Sequence, residues 1–357
     1  MNILHIVGAK IWGGGEQYVY NICKEAKRRG HEPFVIVDQN QSNMKDRFSE
    51  VANVYATTLH GFLGLRAFLE INKIINEKHI GIINCHSGQF TTLCALLKKK
   101  NRNLKYIVFR HNLLPNKNDF YHKWLQKQAD AFICVSKAVY DLQLATADER
   151  YKAKFNLVYS GIDCEQFKKY EHKPDTEIFF IGYAGRIVEN KGILILLSAM
   201  AKLVKKNKNF MLKIAGEGDY NFILKMKNII HNMQLGKNVE FIGRQKDMEY
   251  FYKNIDLLIV PSLVREAFGL VICESMYCRT PVISTDSGAQ NEIIKSGENG
   301  IIVEADNVDA LAEAIIKIYD DSKIRRHFAT AGEKTILDKF TVEQCFLGIE
   351  KVYNNVY

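Results

Sequence analysis

Short runs of apolar residues alternate along the chain with longer segments in which apolar residues recur every three or four positions. In the first half, strands are predicted at ILHIV, PFVIV, GIINC, KYIVF, AFICV and FNLVY, with helices at about Glu16 to Arg29 and Leu65 to Glu77. In the second half, strands are predicted at IFFIG, LKIAG, VEFIG, DLLIV, VIST and GIIV, with helices between them. This alternation is typical of parallel sheets with crossover helices. The pattern therefore predicts an α/β fold.

Length indicates two domains. The chain has 357 residues, more than one hydrophobic core usually serves. The run KKYEHKPDTE carries charge without apolar periodicity, and we interpret it as a linker. We predict Rossmann-like domains at residues 1–172 and 173–340.

Composition is that of a soluble globular protein, with 47% hydrophobic and 25% charged residues. No apolar run approaches the roughly 20 residues that span a bilayer. No basic region precedes the first apolar segment, so we expect a strand at Met1 to Val7 and no secretion signal. The eight cysteines form no C-x-x-C pair and lie mostly in apolar runs, which predicts reduced core residues in a cytoplasmic protein.

Positive charge is concentrated in the first half. Residues 1 to 172 hold 25 Lys and Arg against 16 Asp and Glu, whereas the remaining residues hold 24 of each. This asymmetry suggests an anionic partner: a membrane surface, a lipid phosphate or an acidic glycan. The basic run Lys98 to Lys105 and the aromatic-basic helix Phe120 to Lys127 are candidates for membrane contact. The alternative is a solvated helix end and an ordinary core helix. We find no nucleic-acid-binding motif.

The stretch from Asp256 to Asn291 carries the most informative chemistry. A buried strand ends at Pro261, a loop contains Glu266, and a helix begins at Leu270 with Glu274 one turn inside. Parallel sheets bind ligands at the carboxyl ends of strands, and a helix start there favours a phosphate. Two carboxylates beside a phosphate need hydroxyl donors, which sugars supply.

The segment EAFGLVICE resembles the E-x7-E motif of the family 4 retaining glycosyltransferases, which have the two-domain GT-B fold. The resemblance implies that Glu266 contacts the transferred sugar and that Glu274 contacts the nucleotide ribose. It also implies that the amides of Phe268, Gly269 and Leu270 contact the sugar and phosphates. The implied fold places the two domains across a cleft. Its last helix, residues 341–357, returns to the first domain.

Two further signatures of the second half resemble the same family. The pattern G-R-x-x-x-x-K-G pairs Arg186 with Lys191 beside a helix start, where two cations would meet the charge of a departing diphosphate. The loop from Thr285 to Ala289, with Asn291 and Glu292 after it, resembles the glycine loop of the family. Strand ends at Gly216 and Gly243 also precede helices, and the resemblance places the base near Gly243, Arg244 and Gln245.

Two segments of the first half complete the set of candidate site residues. The run from Gly13 to Glu16 stands before a helix after the first strand and resembles the family's amino-terminal G-G-x-E loop, which closes over the donor phosphates and the acceptor. Its candidate donor-binding residues are Gly14, Gly15 and Glu16. His111 ends the strand KYIVF, where family members carry a histidine that touches the transferred sugar. A satisfied structural histidine is the alternative. His86 is a weaker candidate of the same kind.

Together, these patterns and the family resemblance imply a retaining glycosyltransferase with Glu266, His111, Arg186 and Lys191 in catalytic roles. No D-x-D motif occurs, so we expect no metal and no cofactor. The donor is a nucleotide sugar, with UDP favoured, and the acceptor a glycan or lipid-linked molecule of bacterial surface polysaccharide or glycolipid synthesis. Alternatives are a GDP-mannose-dependent mannosyltransferase, a nucleotide-sugar epimerase and a non-enzymatic scaffold with a relic site. We expect a cytoplasmic protein that binds the inner face of the membrane peripherally.

Overall fold

The computed structural model describes residues 1–8, 12–59, 64–174, 176–205 and 209–357, and of Ser42 the backbone alone. The chain divides into two compact units. One unit comprises Met1–Ile162 together with Val342–Tyr357, and the other comprises Asp163–Thr341. The boundary predicted at residue 172 falls inside the second unit.

The described part of the first unit is built on one parallel sheet. Its strands are β1 (Asn2–Ile6), β2 (Glu32–Asp38), β3 (Asn53–Thr57), β4 (Ile82–Cys85), β5 (Lys105–Arg110), β6 (Ala131–Cys134) and β7 (Phe155–Leu157). They pair in the order β3-β2-β1-β4-β5-β6-β7. The helices between them are α1 (Gly14–Arg28), α2 (Ser42–Ser49), α3 (Gly64–Glu77), α4 (Thr91–Lys100), α5 (Phe120–Gln128) and α6 (Lys137–Thr146).

The second unit is also built on a parallel sheet. Its described strands are β8 (Phe179–Ala184), β9 (Phe210–Ala215), β10 (Val239–Gly243), β11 (Leu257–Val260), β12 (Val282–Thr285) and β13 (Ile301–Val303), in the order β10-β9-β8-β11-β12-β13. Its helices are α7 (Ile193–Val204), α8 (Tyr220–Asn232), α9 (Met248–Lys253), α10 (Leu270–Tyr277), α11 (Gln290–Ile293), α12 (Val308–Asp320) and α13 (Ser322–Lys339).

Strand order reverses once in each sheet. In the first unit the reversal lies between β1 and β4, and in the second between β8 and β11. Loops diverge to opposite faces at such a point, which opens a crevice at the carboxyl ends of the two strands. The predicted site segments after β8 and β11 therefore begin at the reversal point of the second sheet.

The predicted strands are confirmed. They could be predicted because each is a near-continuous apolar run, which is the pattern of strands in a sheet covered on both faces. Three elements were not predicted: α2, the edge strand β3 and the helix α13. Val54 and Tyr55 in the middle of β3 are only partly buried, so the segment lacks the continuous apolar signal of a central strand.

The charged run interpreted as a linker packs within the second unit. The amides of Lys169 and Tyr170 donate to the carboxylate of Glu249 at 2.8 and 3.0 Å. Lys173 forms an ion pair with Asp256 at 2.8 Å. Polar partners supplied by distant segments hold this run in place, although it has no apolar pattern of its own.

The last helix, α14 (Val342–Val356), belongs to the first unit, as predicted. Its buried side chains Phe346, Ile349 and Tyr353 join the core beneath the first sheet. At its edge, Glu350 accepts from Arg29 at 3.1 Å and contacts His31 at 2.8 Å. An apolar stripe and one polar cluster therefore anchor the end of the chain.

Helix α5 is not an ordinary core helix. Only Gln126 is buried in it, whereas Phe120 and Tyr121 are 89% and 46% exposed. The adjacent loop also exposes Leu114. Among the described helices none is long and apolar enough to cross a lipid bilayer.

Candidate active site

The loops that follow β8 and β11 lie against each other. The amide of Leu263 donates to the carbonyl of Asn190 at 3.0 Å. Gly192 has a φ of +71°, and a Cβ at this position would lie 1.7 Å from the carbonyl oxygen of Pro261. Only glycine permits this approach, which brings the segment containing Lys191 onto the loop after β11.

Lys191 and Glu266, which we assigned to different parts of the ligand, contact each other. The Nζ of Lys191 forms an ion pair with Oε1 of Glu266, and the hydroxyl of Ser262 donates to the same oxygen at 2.5 Å. The two ionic side chains are 21% and 19% exposed, so water screens the pair less than a surface pair. Within the described part of the chain, Oε2 of Glu266 has no hydrogen-bond partner and can accept from a ligand.

The backbone of Glu266 is clamped by the glycine loop. Its amide donates to the carbonyl of Ser287 at 2.8 Å, and the amide of Ala289 donates to its carbonyl at 2.9 Å. Gly288 between them has a φ of +102°, and a Cβ there would lie 2.4 Å from the carbonyl oxygen of Glu266. The glycine loop therefore fixes the position of the carboxylate.

Buried hydroxyls beneath the loop tie β12 to the segment after β11. The hydroxyl of Thr285 donates to the carbonyl of Ser262 at 2.6 Å, and that of Ser284 donates to the carbonyl of Val260 at 3.0 Å. The Nε2 of Gln290 donates to the hydroxyl of Ser287 at 3.0 Å. Because buried polar groups are costly without partners, this network favours a single loop conformation.

Glu274 lies one turn inside α10 and is held by an aromatic hydroxyl. Tyr252, which is fully buried in α9, donates to Oε2 of Glu274 at 2.7 Å. Burial raises the pKa of Glu274 above its ordinary value, and the hydrogen bond from Tyr252 opposes this rise. The side chain is half-buried and its Oε1 has no partner within the described residues, so this oxygen is available for a ribose hydroxyl.

Helix α10 begins at a glycine and leaves its first amides for a ligand. Gly269 has a φ of +121° and is the N-cap of the helix. The first amide that donates to the carbonyl of Gly269 is that of Ile272, at 3.0 Å. The amide of Leu270 therefore has no intrahelical acceptor. The Phe268 side chain is buried, with its ring 5.6 Å from that of Phe340, so only its backbone can contact a ligand.

Arg186 is exposed beside the end of β8. Its carbonyl accepts from the hydroxyl of Tyr183 at 2.7 Å, which fixes the backbone and leaves the guanidinium at the surface. Gly216 lies against the same segment, since a Cβ there would lie 1.8 Å from the carbonyl oxygen of Gly185. Both predicted glycine turns after β8 and β9 thus exist as close backbone contacts.

The three residues assigned to base recognition lie at the end of β10. Gly243 has a φ of +66° and accepts from the amide of Gly216 at 2.9 Å. Arg244 is exposed, with Nη1 3.9 Å from a carboxylate oxygen of Glu217. The Nε2 of Gln245 donates to the carbonyl of Ile242 at 2.6 Å, so its side chain has a structural role in this loop.

In the first unit, Gly14, Gly15 and Glu16 open α1, and residues 9–11 before them lie outside the described residues. The carboxylate of Glu16 accepts from the amide of Gly13 at 2.9 Å and so caps the helix. A Cβ on Gly15 would meet nothing within 4 Å, so this glycine is not required by packing. Open space at a helix start is where a phosphate fits.

His111 follows β5 as predicted, but it does not stand alone. Its Nε2 lies 3.1 Å from Nδ1 of His86, and Nε2 of His86 lies 2.9 Å from Nδ1 of His5. Burial lowers the pKa of His111 to about 4 and that of His5 to about 3. Burial, together with the two neighbouring histidines, lowers the pKa of His86 well below its ordinary value. All three imidazoles are therefore neutral at pH 7.

Sequence reasoning missed three residues of these clusters: Ser262, Tyr252 and His5. Ser262 follows Pro261 at the carboxyl end of a strand, and this position was the signal that could have identified it. Tyr252 lies in an aromatic helix with no local sign of its hydrogen bond to Glu274. His5 interrupts an apolar strand, and a polar residue in a buried strand was a signal that could have been used.

Two family models together match nearly the whole chain. The model described as glycosyltransferase family 4 matches residues 12–166, and the model described as glycosyl transferases group 1 matches residues 164–335. An uncharacterized glycosyltransferase of Methanocaldococcus jannaschii is 30% identical over 318 residues, which cover 84% of this chain and 85% of the relative. The capsular polysaccharide biosynthesis glycosyltransferase CapM of Staphylococcus aureus is 31% identical over 212 residues, covering 55% and 53% of the two chains.

The fold also matches solved structures along its whole length. The Anabaena protein HepE, in complex with UDP and glucose, superimposes with a TM-score of 0.84 at 19% identity and covers 99% of each chain. At this identity the similarity concerns the fold. The predicted GT-B fold of two parallel-sheet α/β domains is confirmed.

Proposed function

Because the chain belongs to the family of group 1 and family 4 glycosyltransferases, we propose that it transfers a sugar from a nucleotide-diphosphate donor with retention of anomeric configuration. The acceptor is a glycan or lipid-linked molecule of surface polysaccharide or glycolipid synthesis. The relation to a capsular polysaccharide enzyme supports this setting.

One observation carries the donor assignment. At the reversal point of the second sheet, a Lys191–Glu266 pair, a half-buried Glu274 and the open start of α10 surround the ends of two adjacent strands. A diphosphate pairs with the cation and the amides, and each carboxylate accepts from hydroxyls of one sugar. The donor fits this set of groups better than a free anion, which both carboxylates would repel.

The transfer needs no metal ion in this proposal. As the glycosidic carbon–oxygen bond breaks, the charge on the leaving diphosphate is stabilised by Arg186, Lys191 and the first amides of α10. The acceptor hydroxyl attacks from the same face and passes its proton to a diphosphate oxygen, so one carbon–oxygen bond forms as the other breaks. Glu266 positions the sugar and forms no covalent intermediate.

The first unit supplies further contacts in the proposal. Gly14, Gly15 and the start of α1 contact the donor phosphates, with Glu16 holding the helix end in place. His111 contacts the transferred sugar through its remaining ring nitrogen. That nitrogen, Nδ1, has no hydrogen-bond partner within the described residues.

We favour UDP as the nucleotide, and the structural similarity to a UDP-bound protein supports this choice. The experiment is donor hydrolysis and transfer by the purified chain with UDP-, GDP- and ADP-sugars, with Glu274→Ala as the control. UDP-sugar turnover that depends on Glu274 is expected, and proton NMR of the product is expected to show the anomeric configuration of the donor.

Other outcomes of this experiment select the alternatives. Turnover of GDP-mannose alone indicates a mannosyltransferase. Conversion of the donor into another nucleotide sugar, in the absence of an acceptor and without hydrolysis, indicates an epimerase. Nucleotide binding without turnover of any donor supports the scaffold. An inverted product contradicts the retaining mechanism.

We further propose that the first unit contacts an anionic membrane through α5. Phe120 and Leu114 are 89% and 67% exposed. Lys98 is engaged by Asp130 at 3.0 Å, but Lys99 and Lys100 at the end of the neighbouring α4 are exposed. Exposed aromatic and apolar side chains beside lysines are typical of interfacial helices.

The test is flotation with phosphatidylcholine vesicles, with and without phosphatidylglycerol, at low and high salt. Association only with anionic vesicles at low salt is expected, and Leu114→Ser with Phe120→Ser should abolish it. Leu337→Ser, at a 48% exposed leucine of α13, is the matched control and should change nothing. No flotation of the wild-type chain at low salt removes this proposal.

A further inference from the structure

A chain of three imidazoles crosses the first sheet, and the proposed function uses only its last member. His5 lies on β1, His86 directly follows β4, and His111 directly follows β5, and these strands are neighbours. The register pairs His5 with Asn84, and Asn84 with Ile107. Residues two apart on a strand share a face, so the three histidines form a diagonal on one face.

The imidazoles are joined edge to edge. The N···N distances are 2.9 Å for His5–His86 and 3.1 Å for His86–His111, and the rings are inclined by only 14° and 25°. The ring centroids are 5.2 and 5.4 Å apart. In both pairs the centroid distance is longer than the N···N distance by about one ring width, as expected when the two nitrogens lie on the line between the centroids. Both contacts are therefore in-plane N–H···N hydrogen bonds.

Aromatic rings enclose the histidine chain. Phe109 lies against His86 with ring centroids 4.4 Å apart, and the rings of Tyr18 and His111 form a T-shaped pair with centroids 5.0 Å apart. No carboxylate of the described residues hydrogen-bonds to any of the three histidines. This apolar setting keeps the imidazoles neutral, and each neutral imidazole carries one proton.

Only two proton arrangements satisfy both hydrogen bonds. Either every histidine is protonated on Nδ1, or every histidine is protonated on Nε2, because each N–H···N bond needs one proton and one lone pair. In the first arrangement the outer nitrogen of His111, its Nδ1, is a donor. In the second it is an acceptor. Moving the proton of His5 from one ring nitrogen to the other therefore changes Nδ1 of His111 from a hydrogen-bond donor to an acceptor, or the reverse.

The second arrangement is favoured because Nε2–H is the more stable tautomer of a neutral histidine side chain, and nothing among the described residues at the far end of the histidine chain opposes it. Asn84 is fully buried beside His5 in the register, and its Nδ2 donates to the hydroxyl of Tyr353 at 2.6 Å. Its Oδ1 is buried with no hydrogen-bond partner among the described residues. Asn84 therefore gives no amide donor to the free nitrogen of His5, Nε2, which the first arrangement would need as the partner of its lone pair.

We propose that His5 and His86 are positioning residues that hold His111 as its Nε2–H tautomer, so that its Nδ1 accepts a hydrogen bond from a hydroxyl of the sugar substrate. This inference rests on the proposed function, in which His111 contacts the transferred sugar. It adds that Nδ1 of His111 binds a hydroxyl that donates a hydrogen bond, and that His86 and His5, which lie on or directly after the next two strands, fix the tautomer of His111.

The test reads the tautomers directly in the full chain. Long-range ¹H–¹⁵N spectra of the histidine-labelled protein at pH 7 should show all three imidazoles protonated on Nε2 with bare Nδ1. His86→Phe removes the acceptor of His111, and both tautomers of His111 should then be populated. His86→Gln restores an acceptor oxygen and a donor nitrogen at similar spacing, and the single Nε2–H tautomer should return.

Activity gives the second readout. His86→Phe is expected to lower kcat/KM about ten-fold, or about 1.4 kcal/mol, whereas His86→Gln stays within about three-fold of wild type. A wild-type His111 protonated on Nδ1, or a tautomer unchanged in folded His86→Phe, overturns the proposal. If the spectra show the Nε2–H pattern but no donor is turned over, the tautomer assignment stands and the proposed function fails separately.

Discussion

Replacing Lys191 with methionine separates the ligand-binding role of this cation from its structural role. Methionine keeps much of the side-chain length and removes the charge. In the wild-type chain Lys191 is paired with Glu266, and Ser262 donates to the same carboxylate oxygen at 2.5 Å. The substitution therefore removes one proposed contact to the leaving diphosphate and leaves a largely buried carboxylate with one hydroxyl donor.

The two roles have different magnitudes. Loss of one preorganised group at a developing charge costs about 10² to 10³ in kcat, or roughly 2.7–4 kcal/mol. Leaving the carboxylate of Glu266, which is 19% exposed, without its cation should cost about 1–3 kcal/mol of unfolding free energy. In the double variant Lys191→Met/Glu266→Gln no unpaired charge remains, so stability should return to within about 1 kcal/mol of wild type. Activity should not return.

The assay combines nucleotide release from the donor with urea unfolding of each variant. Lys202→Met is the matched control, because Lys202 pairs with Asp309 at the surface, where the two side chains are 48% and 74% exposed. It should keep full activity and change stability by less than about 1 kcal/mol. If Lys191→Met keeps kcat/KM within three-fold of wild type and loses only stability, the cation is structural and the phosphate assignment is refuted.

Further predictions concern Glu274 (the acid proposed to contact the ribose), the glycine loop and the histidine chain. Tyr252→Phe removes the only described donor to Glu274 and should weaken nucleotide binding in calorimetry about ten-fold, or 1.4 kcal/mol; unchanged affinity contradicts this role. Gly288→Ala should lower activity at least ten-fold, because its Cβ meets the backbone of Glu266; Gly297→Ala, with similar positive φ and open space, should cost stability alone. The free energy of unfolding should fall as the pH drops from 6.5 towards 4, because the three histidines bind protons in the unfolded chain but stay neutral in the folded one. Each histidine should contribute up to about 1.4 kcal/mol per pH unit to this fall. Urea titrations that show the same pH slope after removal of one histidine of the chain would argue against this.

The fold was largely predictable because its central strands are continuous apolar runs that leave few alternatives. The edge strand β3 was not, since half-exposed residues such as Tyr55 give no such signal. The linker prediction also shows where local pattern stops being informative. Lys169 and Tyr170 lack apolar periodicity, yet Glu249, some 80 positions later, anchors their backbone.

The candidate site was predicted by residue type but not by contact. The spacing of Glu266 and Lys191 indicated two ligand groups, whereas the direct ion pair between them depends on how two loops pack at a strand reversal. Tyr252 precedes Glu274 by 22 positions with no local sign of their hydrogen bond. Such partners are set by tertiary packing, which no periodicity records.

A crystal structure of the chain with bound UDP tests the central claim most directly. The diphosphate should lie at the start of α10 with Lys191 turned from Glu266 to a phosphate oxygen. A free carboxylate oxygen of Glu274 should lie about 2.6–3.2 Å from a ribose hydroxyl. UDP bound elsewhere, or a ribose out of reach of Glu274 with the Lys191–Glu266 pair intact, would contradict the account.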